Sequence, residues 1–116
     1  MPAQLRLWLP VVAWAAVIFA FSSIPGLGTG LGFWDEVLRK TAHAAEYAIL
    51  GALLLRALGR ALPAFVVGVA YAISDEIHQS FVEGRRGAPV DVLIDAAGIG
   101  LGLLAWRRFA RTRRPA

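Results

Sequence analysis

A chain of 116 residues with 58% hydrophobic and only 17% charged side chains, and a mean hydropathy of +0.60, reads as one domain on the membrane side of ordinary composition. The absence of cysteine excludes a disulfide framework, a thiolate nucleophile and a Cys-ligated metal. Much of the positive excess behind the net charge of +4 sits in Arg107, Arg108, Arg111, Arg113 and Arg114, directly behind an apolar stretch; with no recognition fold or soluble domain beside it, that run argues for contact with anionic lipid and against nucleic acid.

The first apolar run, 5–21, is long enough for a slightly short transmembrane helix, with Arg6 near its start and Trp8 and Trp14 along it. Small residues at Ala20 and Ser22 resemble a signal-peptidase site, but the run is long and aromatic for a signal sequence, so we expect it to be retained. A loop follows, broken by Pro25 and by Gly28, Gly30 and Gly32. No strand precedes these glycines, which rules out a dinucleotide-binding fingerprint.

A second helix is expected over 37–58, capped by Asp35. Spacings of three and four align Glu36, Lys40, His43 and Tyr47 along one side, with Arg39 and Glu46 nearby. Beyond them the segment is apolar from Ala48 to Leu55, so the polarity is confined to one end. A turn around Gly59 leads to a third helix over 61–81, with Pro63 tolerated in its first turn. Its end breaks the apolar pattern with Ser74, Asp75, Glu76, His78 and Gln79. A charge at mid-bilayer costs about 2.5–3.5 kcal/mol, so these groups should face a bundle interior, a water-filled cavity or the interface.

The short loop containing Arg85 and Arg86 returns the chain to a fourth helix over 90–107, where Asp91, Asp95, Gly98 and Gly102 share a side. The Gly98-x-x-x-Gly102 spacing permits close helix approach, and Asp95 beside that seam should face protein. The pattern is thus all-α, a four-transmembrane-helix bundle in a single domain, 1–116. Arg6, Arg56, Arg60 and the five C-terminal arginines put eight positive charges on one side of a four-span topology against four, Arg39, Lys40, Arg85 and Arg86, on the other. The positive-inside rule makes both termini cytoplasmic and turns the polar helix ends outward.

His78, Glu76 and Asp75 are the candidate acid–base groups, His78 because an imidazole titrates near neutrality. Arg85, in a glycine-flanked loop, suits a phosphate held by two parallel hydrogen bonds, with His43, Glu46 and Gln79 lining the same pocket. Asp91, Asp95, Lys40 and Tyr47 are read as orienting or structural groups. Each has a plainer reading: interhelical salt bridges for Asp91 and Asp95, a helix-bridging contact for His43 with Tyr47, snorkelling for Lys40. No metal ligand is assigned and the cofactor is open. A divalent zinc, manganese or magnesium site is compatible with the His–carboxylate content, although Asp75-Glu76-Ile77-His78 is not the metalloprotease arrangement.

Several segments together resemble the VanZ-like family of small bacterial membrane proteins. They are Phe21-Ser22-Ser23-Ile24-Pro25, the run from Arg39 to Gly51, the run from Ser74 to Val82, Gly84-Arg85, and the run from Asp91 to Gly98. Their order and spacing extend over most of the chain. The sequence departs from the family at Glu83, commonly proline, and at Arg86, commonly a small residue; Arg85, Asp91 and Asp95 still match. The family is named after a protein linked to teicoplanin resistance, so the resemblance implies a bacterial inner-membrane protein of the cell envelope related to antibiotic resistance, and no transferable mechanism. The partners expected are membrane lipids and a phosphorylated envelope lipid or glycopeptide-like headgroup. A non-enzymatic scaffold, assembly factor or small transporter, working as a homo-oligomer or with a membrane-protein partner, is the alternative.

Overall fold

A computed structural model describes residues 2–23, 33–82 and 89–112. They form four helices: α1 (Ala3–Ser22), α2 (Phe33–Leu58), α3 (Ala61–Gln79) and α4 (Pro89–Thr112). Each helix runs a little differently from its expected bounds. Asp35 lies inside α2, which already includes Phe33, and does not cap it. At the end of α3, Phe81 falls in a turn, after the amide of Ser80 has closed the last helical carbonyls. The fourth helix continues past Arg107 to Thr112, because nothing in Arg108-Phe109-Ala110-Arg111 breaks it. The loop with Gly28, Gly30 and Gly32 and the loop with Arg85 and Arg86 lie outside the described residues.

The helices run up and down. The start of α1, the end of α2, the start of α3 and the end of α4 meet at one end of the bundle, where Arg56 contacts Arg6 and one groove is lined by both Ala61 and Arg107. Close backbone approaches join α2 to each of the other three helices and α3 to α1 and α4, whereas among the described residues the backbones of α1 and α4 stay apart. The centre is filled by Tyr47, Leu50 and Leu54 of α2, Ile18 of α1, Ala64 and Ala72 of α3, and Ile99 of α4.

The tightest seam joins α2 to α4. A Cβ on Gly51 would come within 2.6 Å of the Ile99 carbonyl oxygen, and one on Gly98 or Gly102 would strike the carbonyl of Ala44 or Ala48. The three glycines therefore let two backbones touch where any side chain would hold them apart. At Gly59 the backbone takes φ +76, the left-handed conformation that ends helices, and its amide closes on the Leu55 carbonyl at 2.7 Å.

Polar groups tie α1 to the bundle. Pro10 lies within α1 and has no N–H for the carbonyl four residues earlier. That carbonyl belongs to Arg6, and Arg56 Nη1 donates to it from α2 at 3.4 Å. Trp14 Nε1 donates to the Glu46 carbonyl at 2.8 Å, and the Tyr71 hydroxyl donates to the Ala15 carbonyl. Trp14→Phe keeps the ring and loses the donor; we expect it to cost about 0.5–1.5 kcal/mol, read as a lower melting temperature of the solubilised protein. An unchanged melting curve would mean that the indole bond adds nothing.

Large apolar side chains are exposed on the outside of the bundle while carboxylates are buried within it. Leu62 is 74% exposed and Leu93 69%, while Asp75 is 3% exposed and Asp95 1%. Two of the four helices, α1 and α4, are long and apolar enough to cross a membrane. The other two fall short of that standard, each giving one end to polar and ionisable side chains.

Candidate functional site

Near the end of the bundle opposite Arg56, each helix contributes polar groups to one network: Ser22 and Ser23 from the end of α1, His43 and Tyr47 from α2, Asp75, His78 and Gln79 from α3, and Asp95 from α4. On α3 the intervals 75, 78 and 79 hold one helical side, which also carries the small residues Gly68 and Ala72 farther down. Small residues below and polar ones above let α3 sit close to its neighbours while directing its ionisable groups inward.

Gln79 is the hub. Its Nε2 lies 3.3 Å from Ser22 Oγ, 3.2 Å from His43 Nε2 and 3.4 Å from Asp75 Oδ2. Two amide protons serve three acceptors, so the contacts exchange and are not all made at once. Behind Gln79, His43 Nδ1 faces Asp95 Oδ1 at 3.3 Å, in a pair whose side chains are 13% and 1% exposed. With Nδ1–H donating to Asp95, Nε2 is left to accept from Gln79. Asp75 Oδ2 also accepts the Tyr47 hydroxyl at 2.9 Å. The chain Asp95–His43–Gln79–Asp75–Tyr47 thus links three helices.

A second arm reaches the surface. His78 stacks on Phe19 with ring centroids 4.1 Å apart and planes 7° from parallel. Its Nε2 is 3.3 Å from Ser23 Oγ, which also donates to the Phe19 carbonyl at 2.8 Å. Its Nδ1 faces Asp75 Oδ1 at 3.9 Å, and neither of these two buried atoms has a hydrogen-bond partner among the described residues. While the Ser23 proton points to Phe19, the ring donates from Nε2, and a bare Nδ1 looks at a carboxylate oxygen, which accounts for the long separation. Moving the ring proton to Nδ1 would close that gap and leave Nε2 to accept from Ser23, the polarity a general base needs.

The candidate residues therefore divide. The network brings together His43, Tyr47, Asp75, His78, Gln79 and Asp95. Asp91 stands apart with Lys40, Oδ1 to Nζ at 3.8 Å, a half-exposed interhelical salt bridge worth little by itself. Glu46 and Glu76 are half-buried. Arg85 lies outside the described residues, so its position relative to the network is not part of this geometry. Among the described residues no group of three or more His, Asp or Glu side chains is placed to hold a metal ion; His43 faces Asp95 and His78 faces Asp75.

Sequence reasoning passed over Ser22 and Ser23 as site residues. Their signal was two hydroxyls at the point where an otherwise apolar helix stops, within a segment already singled out for its resemblance. Ser22 is 1% exposed, buried against Gln79.

No curated protein and no solved structure matches this chain. A family model described as VanZ/LLP1 matches residues 7–110, which takes in most of α1 and α4, all of α2 and α3, and the whole polar network. The chain belongs to the VanZ/LLP1 family.

Proposed function

We propose that the protein is a multi-pass membrane protein of the bacterial inner membrane, with both termini cytoplasmic, that binds the phosphorylated headgroup of an envelope lipid or a glycopeptide-related ligand at the polar end of its bundle. The observation that carries this reading is a hydrogen-bonded network of buried Asp95, Gln79 and Asp75 with half-buried His43 inside a shell of exposed leucines. Lipid satisfies the shell, and a buried polar network of this cost is expected where a polar ligand is handled. Family membership agrees with an envelope role, and the eight-to-four charge bias supports the orientation.

In this reading Arg85 grips the anion, Gln79 and His43 present exchangeable hydrogen bonds, and Asp95 fixes the His43 ring. Glu46 and Glu76 border the pocket, and Lys40, held by Asp91, adds positive charge at its rim. A second reading, favoured by the contact between Ser23 and His78, is enzymatic: His78 takes a proton from Ser23 or from a water during hydrolysis or transfer at phosphorus, and Asp75 steadies the imidazolium.

Lipid mass spectrometry on gently purified protein tests both readings. Wild type should retain a phosphorylated envelope lipid, and Arg85→Ala at matched abundance should hold it about 10- to 100-fold less well, the worth of a charged hydrogen bond. With His78→Ala, accumulation of that lipid above the wild-type level favours the enzymatic reading, and retention equal to wild type favours the binder. Identical bulk lipids on all three proteins would defeat the ligand proposal and favour a scaffold, assembly or transport role. Reporter fusions that place the C-terminus outside would overturn the topology.

A further inference from the structure

The opposite end of the bundle carries a feature that the polar network does not use. Arg56 at the end of α2 and Arg107 and Arg111 on α4, with Trp106, line a cleft of about 400 Å³ to which the described residues contribute no carboxylate. Among the described residues no acid pairs with any of the three arginines. A second, apolar groove of about 560 Å³ runs along α4 past Gly100, Leu101 and Leu104 and ends at the same Arg107. Gly100 opens onto space: a Cβ there would meet nothing within 4 Å, unlike Gly98 and Gly102 on either side.

A basic cleft and an apolar groove that share one arginine match an amphiphile with a negative head. We infer that Arg107, with Arg56 and Arg111, holds the phosphodiester of an anionic phospholipid whose acyl chain lies in the groove at Gly100. Guanidinium forks pair with phosphate oxygens through two parallel hydrogen bonds. On the membrane reading, the Trp106 indole that lines the cleft would lie at headgroup level, where amphipathic rings are enriched. A zwitterionic choline head would find no carboxylate for its ammonium, so the site discriminates by headgroup charge. A free phosphate would have no use for the groove. The inference rests on the membrane reading above and on nothing at the polar end.

The test is reconstitution of the full chain into phosphatidylcholine bilayers doped with phosphatidylglycerol, followed by native mass spectrometry of the retained lipid. Wild type should keep phosphatidylglycerol over phosphatidylcholine. The pair Arg107→Gln, Arg111→Gln should reduce that preference roughly 30-fold, at about 1 kcal/mol per arginine near a membrane surface. Gly100→Leu, whose Cβ would meet nothing within 4 Å and whose branched end would occupy the groove that Gly100 lines, should lose the diacyl lipid while remaining folded and still responding to inorganic phosphate. Equal retention of the two lipids by wild type would overturn the site, as would Gly100→Leu holding phosphatidylglycerol like wild type. Inorganic phosphate binding alike to wild type and Gly100→Leu, with phosphatidylglycerol retained by neither, would mean an anion site without a lipid, and also overturns it. A chain that stays in solution and does not float with phosphatidylcholine vesicles would overturn the membrane reading itself, a result distinguishable from floating without lipid preference.

Discussion

Gly102→Ala should destabilise the bundle by about 3 kcal/mol, the upper part of the range for forcing extra volume into a packed site. The added Cβ would strike the Ala48 carbonyl oxygen and come within 2.6 Å of its carbon and 2.9 Å of Ala48 Cα. All three are backbone atoms of α2, so no side chain can turn aside and the helices must separate. Against a total stability of about 5–15 kcal/mol for a typical domain, such a loss is a large fraction. The control lies two residues away on the same helix. Gly100→Ala makes the same chemical change where a Cβ meets nothing within 4 Å, and should be neutral or stabilising by up to about 1 kcal/mol through helix propensity. Thermal unfolding of both variants in one detergent reads the difference. If Gly102→Ala melts like wild type, the seam between α2 and α4 is not closed at Ala48.

The second large effect is expected at Asp95. It is 1% exposed and faces His43 Nδ1 at 3.3 Å across α2 and α4. Removing one member of a buried polar pair typically costs about 3–5 kcal/mol, because the other is left without compensation. Asp95→Ala should therefore destabilise in that range. The double replacement Asp95→Leu with His43→Leu should cost clearly less than the sum of the single ones, since it removes both buried polar groups together. A double-mutant cycle by denaturant or thermal unfolding measures the coupling. A coupling near zero would mean that the two side chains do not form a pair, and the tautomer that leaves His43 Nε2 facing Gln79 would lose its support.

The helices were legible because their signals are local. Apolar runs of membrane length, Pro63 in a first turn, Gly59 at a turn and the polarity confined to one end of the second and third helices all follow from neighbours in sequence. The Gly98-x-x-x-Gly102 seam and an inward Asp95 were legible for the same reason, since a four-residue interval sets one side of a helix. Bounds were less so. Asp35 looks like a cap, yet α2 already includes Phe33, and α4 runs through five residues beyond Arg107 because good helix formers do not announce an end.

Partners across helices were not legible. Tyr47 and Glu46 are adjacent and both polar, but only the rotation of α2 decides that Tyr47 is fully buried against Asp75 while Glu46 offers its backbone carbonyl to Trp14. Ser22 and Ser23 enter the network because α1 packs on α3 in a register that stacks Phe19 on His78. The use of Arg56 to satisfy the Arg6 carbonyl beneath Pro10 joins residues 50 apart in the chain. Composition and periodicity therefore established an all-α chain of four helices with one polar end, a seam of glycines and a basic opposite end, since each of these depends on residues within a turn or two of one another. Which polar groups meet, and that His43 pairs with Asp95 while Asp91 pairs with Lys40, depended on the rotation and register of whole helices. Those are set by backbone contact at Gly51, Gly98 and Gly102 and by the volumes packed around Ile99 and Tyr47, quantities that exist only once four helices share one core.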